Sequence, residues 1–271
     1  METKTNTGYM KGFIPYAIAA AVLSLCGGFT AAVPTGIVNE WNMTESVTFI
    51  TLAYSLGAAA LAPIMGKLGD VLGRRTTLLV SLGLYTLGQL LIAICPSGSL
   101  AMLLVFRFMV GIGAAGVAPV VMAYIMTEFP PEKMGQGFTI YMAIACGMVV
   151  FGPTLGGIVM AKTGWRPVMW ICVVLCVISV VLVMLLVKKD EGPKKSLAGF
   201  DFPGAVFVLV FFAMVLCVPT FGQNMGWTAK VTIVCIVVAV VALIALFAIE
   251  KKAQSPILSG PFMARKQFIL P

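Results

Sequence analysis

The sequence contains no histidine. A His-ligated metal, a histidine general base and a Ser-His-Asp triad are therefore excluded. Charge is scarce too: Asp, Glu, Lys and Arg make up 10% of 271 residues, against about a quarter in ordinary globular domains. Over long stretches it vanishes. Eight helix-length apolar windows run over residues 13–38, 46–65, 76–94, 99–126, 138–161, 167–187, 203–221 and 231–249, and seven of them hold no Asp, Glu, Lys or Arg. The exception is Arg107 in the fourth. No window contains a carboxylate, so an enzyme would have neither acid nor histidine to work with, and no cofactor, metal site or catalysis is expected.

What remains is hydrophobic: 60% of the residues, with a mean hydropathy of +1.05. A bilayer core about 30 Å thick needs roughly 20 apolar residues of helix, which the windows approach or exceed. Helices satisfy their own backbone hydrogen bonds in lipid, so the expected fold class is all-α, a polytopic transmembrane helix bundle. The short connections leave no room for a soluble catalytic domain. The first window is too long for the apolar region of a cleaved signal peptide and reads as a retained helix.

With a cytoplasmic amino terminus, fourteen of the eighteen basic residues fall in inner segments, and Lys162, Arg166 and Lys230 fall in outer loops. That asymmetry follows the positive-inside rule, with both termini cytoplasmic. The net charge of +8 then reads as a topology signal and an attraction to anionic membrane lipid. No basic cluster interleaves with exposed aromatics, so no nucleic acid partner is expected. The seven cysteines lie in or beside apolar windows and read as small buried side chains.

"GIGAAG", residues 111–116, fits G-x-G-x-x-G on paper. A dinucleotide loop would need a preceding strand, an aqueous helix start and an acidic residue about 20 positions on, and Glu128 stands only 12 beyond Gly116. The glycines instead fall within a membrane helix, with Arg107, Gly111 and Ala115 on one side. At about 12 Å into its span, Arg107 would cost at least about 2.5 to 3.5 kcal/mol facing lipid. It is expected to face the bundle interior or a water-filled cavity; the competing reading is snorkelling to the outer surface.

Two further stretches stand out. In "GKLGDVLGRR" the glycines Gly66, Gly69 and Gly73 suit a tight turn between helices, and Asp70 can pair with Lys67, Arg74 and Arg75. In "FGPTLGGIVM", Gly152, Pro153, Gly156 and Gly157 permit a local kink and close helix approach. The loop at residues 66–75 also echoes "GIVMAKTGWR" at 157–166, aligning Gly66 with Gly157, Gly73 with Gly164 and Arg75 with Arg166. The loops lie on opposite sides of the membrane, as an inverted repeat of three plus three helices would give. Three matches in ten among abundant glycines are also what chance would give.

These stretches resemble the major facilitator superfamily. "GKLGDVLGRR" is similar to its loop signature between the second and third helices, with Val71 at a usually basic position; "RFMVGIG" is similar to its fourth-helix motif; and GPxxGG is similar to the antiporter motif of its exporters, with Met148 in place of the first glycine. "TGWRPVMW", "FDFPG" and "IEKKAQSPIL" resemble the fourteen-helix drug:proton antiporter branch, although Leu25 stands where relatives often carry an Asp.

The resemblance implies an amino-terminal six-helix domain over residues 1–187, a cytoplasmic linker at 188–202, two linker helices at 203–249 and a cytoplasmic tail at 250–271 leading to an absent second half. It implies a multi-pass plasma-membrane transporter exporting small amphipathic or drug-like compounds by alternating access. Arg107, Gly111 and Gly113 would serve substrate binding or proton coupling. Gly66, Asp70, Gly73, Arg74 and Arg75 would form a cytoplasmic gate loop, and Gly152, Pro153, Gly156 and Gly157 the antiporter motif and a bending point. The partners implied are a small-molecule substrate, a proton, membrane lipid, and a second half-transporter polypeptide or a copy of this chain. A truncated frame, a split transporter and a dimerising half remain open. The alternative function is a non-transporting membrane-embedded binding or assembly protein.

Overall fold

The computed structural model describes residues 8–43, 47–187 and 202–250, and all regular structure among them is helical. The expected cytoplasmic linker and the tail lie outside the described residues, apart from Phe202 and Glu250. In chain order the helices are α1 (Gly8–Phe29), α2 (Val33–Trp41), α3 (Val47–Leu72), α4 (Arg74–Ala93), α5 (Leu100–Ala115), α6 (Val117–Glu128), α7 (Met134–Thr163), α8 (Trp165–Leu186), α9 (Phe202–Met225) and α10 (Lys230–Glu250). Among the described residues six segments are long and apolar enough to cross a membrane, with α1–α2 forming the first and α5–α6 the fourth. Helices α9 and α10 carry shorter described apolar stretches and pack on each other, with α9 against α3.

Two of the windows are interrupted, and proline accounts for both. Pro34, in the first turn of α2, has no N–H for the carbonyl of Thr30, which accepts instead from Val33 N at 3.2 Å in a tight turn. Pro119 likewise cannot donate to the carbonyl of Ala115, so the ladder breaks at Gly116, the single residue between α5 and α6. Pro153 causes no such break, and α7 runs through it as one 30-residue helix.

Packing between membrane helices rests on close van der Waals contact, because lipid tails are as apolar as the side chains. Helix α5 lies between α3 and α4, α1 packs on α7 and α8, and α4 packs on α8. The buried side chains form two groups. One gathers Val33, Ile37, Tyr85, Ile92, Leu103 and Met169. The other gathers Phe13, Tyr16, Leu78, Val121 and Tyr124, with the Tyr16 and Tyr124 rings stacked at 4.5 Å. The outward faces of α7, α8 and α10 are apolar, including Phe151, Leu185 and Ile244. Cys146 also faces outward, unlike the buried position expected for it, because it shares that exposed face of α7.

The α3–α4 and α7–α8 connections have the same construction. Each is one glycine, Gly73 at φ 90° and Gly164 at φ 83°, in a region that side chains rarely adopt. Two residues on, an arginine reaches from the start of one helix to the end of the other. Arg75 donates to the Met184 carbonyl at 2.6 Å, and Arg166 donates to Ser97 Oγ at 3.1 Å, just beyond α4. Arg166 also pairs with Glu40 at 2.9 Å, and Glu40 accepts from Trp165 Nε1 at 2.6 Å. The aligned glycines and arginines thus share backbone geometry and a reciprocal contact as well as spacing.

Candidate functional site

Among the described residues, α5 carries the one charge deep in the spans. Arg107 is 4% exposed, within electrostatic range of Tyr54 on α3, Tyr85 on α4 and Cys172 on α8. Its Nε and Nη2 atoms have no hydrogen-bond partner. Snorkelling, which would leave the guanidinium exposed, does not occur. The polar neighbourhood extends along α4, where Thr77, Ser81, Tyr85 and Gln89 recur every four residues and are all fully buried.

The glycines beyond Arg107 let α5 sit this deep. A β-carbon at Gly111 would strike the Tyr54 carbonyl and come within 3.0 Å of Gly57 Cα; one at Gly57 would strike the Phe108 carbonyl. On the other side, a β-carbon at Gly113 would strike Tyr85 N and lie 2.7 Å from the Ser81 carbonyl. Gly111 therefore seats α5 on α3, and Gly113 seats it on α4. Gly57 and Gly88, which meet α5 from those two helices, were not singled out in the sequence because a glycine's partner is invisible there.

Beside this cluster lies a cavity of ≈ 600 Å³. Its wall takes Leu23, Ser24, Gly27 and Gly28 from α1, Ala31 from the turn that follows, Tyr54, Ala58 and Ala62 from α3, Ala114 and Ala115 from α5, Ala118, Pro119 and Met122 from α6, and Val149 and Pro153 from α7. None of these is charged. Arg107, Gly111 and Gly113 are not on the wall; Tyr54 is, and it stands within range of the Arg107 charge.

The expected tight turn at residues 66–75 is confined to Gly73, with Gly66, Gly69 and Asp70 inside the last turns of α3, and the pairing also departs from the sequence expectation. Arg74 pairs with Glu128 at the end of α6, at 3.5 Å, while Asp70 is exposed. The cause is the turn at Gly73, which starts α4 at Arg74 and turns both arginines to neighbouring helices. Gly66 and Gly69 lie under Pro119 and Val120 of α6.

The GPxxGG stretch divides by face. A β-carbon at Gly152 would lie 2.6 Å from Gly28 Cα, and one at Gly156 would lie 2.5 Å from the Phe29 carbonyl oxygen. Gly157 meets nothing within 4 Å. Gly156→Ala is therefore expected to destabilise the bundle by about 1–3 kcal/mol, whereas Gly157→Ala should be neutral or slightly stabilising. Thermal unfolding of the two variants in detergent checks this, and equal shifts would refute the face assignment.

Cys26, Cys172 and Cys176 meet where α1 crosses α8, with Cys26 Sγ 3.8 Å from Cys176 Sγ. Among the described residues no group of three or more Cys, Asp or Glu is placed to hold a metal ion.

Comparison with known proteins places this geometry. The family model described as Major Facilitator Superfamily matches residues 16–270. The chain is 29% identical over 215 residues to "Multidrug resistance protein Stp" of Mycobacterium tuberculosis (strain CDC 1551 / Oshkosh), a match covering 79% of this chain and 39% of that protein. It is 27% identical over 262 residues to "Multidrug resistance protein 3" of Bacillus subtilis (strain 168), covering 96% and 50%. The chain thus spans half or less of the length of these relatives. Among solved structures, it is similar in fold to an auto-inhibited POT family peptide transporter, with TM-score 0.59 and 15% identity over 88% of this chain and 51% of that one. It is similar too to a bacterial homolog of the human lysosomal transporter Spinster, inward-facing and unoccupied, with TM-score 0.56 and 15% identity over 91% and 61%.

Proposed function

Because this chain belongs to the Major Facilitator Superfamily, we propose that it supplies one half of a plasma-membrane transporter that exports small amphipathic compounds by alternating access. The observation that carries this reading is the ≈ 600 Å³ uncharged cavity beside the buried Arg107. Ligand cavities are mostly apolar with a few placed polar groups, and an intramembrane ionisable residue is a functional position by default. The named multidrug resistance relatives favour drug-like substrates.

In this reading both termini are cytoplasmic, following the excess of basic residues in the loops on that side. The loop of Gly66, Asp70, Gly73, Arg74 and Arg75 is the cytoplasmic gate, and exposed Asp70 is the member free to meet the opposing half. That second helical half, on the same polypeptide or another, closes the cavity. Gly111 and Gly113 serve the site by setting α5 against its neighbours, and Gly152 and Gly156 hold α1 against α7 beside Pro153 on the wall.

The test is accumulation of anionic, neutral and cationic fluorescent amphipaths in energised everted vesicles from cells co-expressing this chain with the carboxy-terminal half of the Bacillus relative. Accumulation of at least one compound, reduced at least tenfold by Arg107→Ala, is expected. Failure of every compound to accumulate above vector vesicles, with the chain folded in the membrane, would overturn the reading.

A further inference from the structure

The cavity and the buried charge together set a sign. Fifteen residues line the wall, and only Ser24 and Tyr54 among them carry polar side chains. The acidic residues of the chain all lie outside the eight apolar windows. The charge that acts on the wall is Arg107, 4% exposed, with two of its nitrogen atoms unpartnered and within electrostatic range of the wall residue Tyr54. The potential inside the cavity is therefore positive, with no acidic side chain on the wall to cancel it. At an effective dielectric of about 20, one charge roughly 10 Å away changes affinity about tenfold or more, in opposite directions for anions and cations.

We propose, resting on the substrate-cavity reading above, that this cavity takes amphipathic compounds bearing an anionic or strongly hydrogen-bond-accepting group and disfavours cationic ones, with Tyr54 as the side chain that meets the acceptor. A phenol O–H can donate to such a group at the cavity wall. Arg107 is a positioning residue behind it: the guanidinium favours a donating Tyr54 and adds a long-range attraction for negative charge. Ala58, Ala62, Ala114 and Ala118 leave room for the apolar body of the ligand. Their small side chains supply no directional contact, so discrimination among ligands falls to Tyr54 and the field behind it.

The experiment uses the chain in lipid nanodiscs and equilibrium dialysis, with protein-free discs subtracted. Three probes share one ring system: 1-anilinonaphthalene-8-sulfonate, neutral N-phenyl-1-naphthylamine, and the analogue in which trimethylammonium replaces the sulfonate. The sulfonate should bind saturably and at least tenfold more tightly than the ammonium compound. Arg107→Gln should bring that ratio close to one, and Tyr54→Phe should weaken the sulfonate several-fold while leaving the ammonium compound unchanged. Should Arg107→Gln not fold, Tyr54→Phe decides alone. An ammonium probe that binds as tightly as the sulfonate, or a ratio that survives in the folded variants, overturns the charge assignment. Saturable binding of no probe at all overturns the substrate-cavity reading itself, and this inference with it.

Discussion

Gly113→Leu is expected to abolish the folded bundle. The first atom added would strike Tyr85 N and lie 2.7 Å from the Ser81 carbonyl, both on the backbone of α4. A flexible side chain could swing aside; a hydrogen-bonded helix backbone cannot. Nor can α5 retreat, because on its other side it already lies so close to α3 that a β-carbon at Gly57 or Gly111 would strike the facing backbone. Ordinary overpacking costs about 1–3 kcal/mol, and a whole isobutyl group trapped between two backbones should exceed that. Against a typical stability of about 5–15 kcal/mol, the monodisperse species should largely disappear in fluorescence-detected size exclusion. Gly83→Leu provides the control, since Gly83 on α4 has open space around it. An unchanged elution profile and melting temperature for Gly113→Leu would refute the close approach of α5 and α4.

Arg107→Met should act in opposite directions on stability and on function. A guanidinium that is 4% exposed, with unpaired Nε and Nη2, is held at a cost in desolvation that nothing nearby fully offsets. Replacing buried ionic groups by apolar ones of similar size is often stabilising by about 1–4 kcal/mol. The expected result is a melting temperature raised by several degrees in detergent. Transport by the completed protein should fall at least tenfold, since an interaction with a charged group contributes about 1.5–3 kcal/mol. A lowered melting temperature would instead make Arg107 a structural residue and remove the main support for its functional role.

The helical class and the six crossing segments were legible in the sequence because uncharged length is a one-dimensional property. Burial of Arg107 was legible for the same reason, as the cost of placing it in lipid depends only on depth. Three other features depend on which helix lies opposite, and the sequence carries no such information. Gly156 and Gly157 are adjacent and chemically identical, yet only Gly156 meets Phe29. Asp70 has the composition of an ion-pair partner, but the Gly73 turn gives Arg74 to Glu128. Tyr54 is one aromatic in an apolar run, and only the packing of α3 against α5 brings it near Arg107. The Thr77, Ser81, Tyr85 and Gln89 series could have been found by reading every fourth residue of the third window for polar groups. The two helix breaks at Pro34 and Pro119 were not legible, because Pro15, Pro63 and Pro153 lie in helices that run on unbroken.

The reciprocal arginine contacts set a schedule for biogenesis. Arg75 is synthesised 109 residues before Met184, whose carbonyl it contacts. At roughly 5–20 residues per second, α4 waits about 5–20 s in the membrane before that acceptor leaves the ribosome. Throughout that interval α4 lacks the α8 neighbour it packs against. The first three crossing segments are thus an unfinished intermediate until the sixth segment arrives.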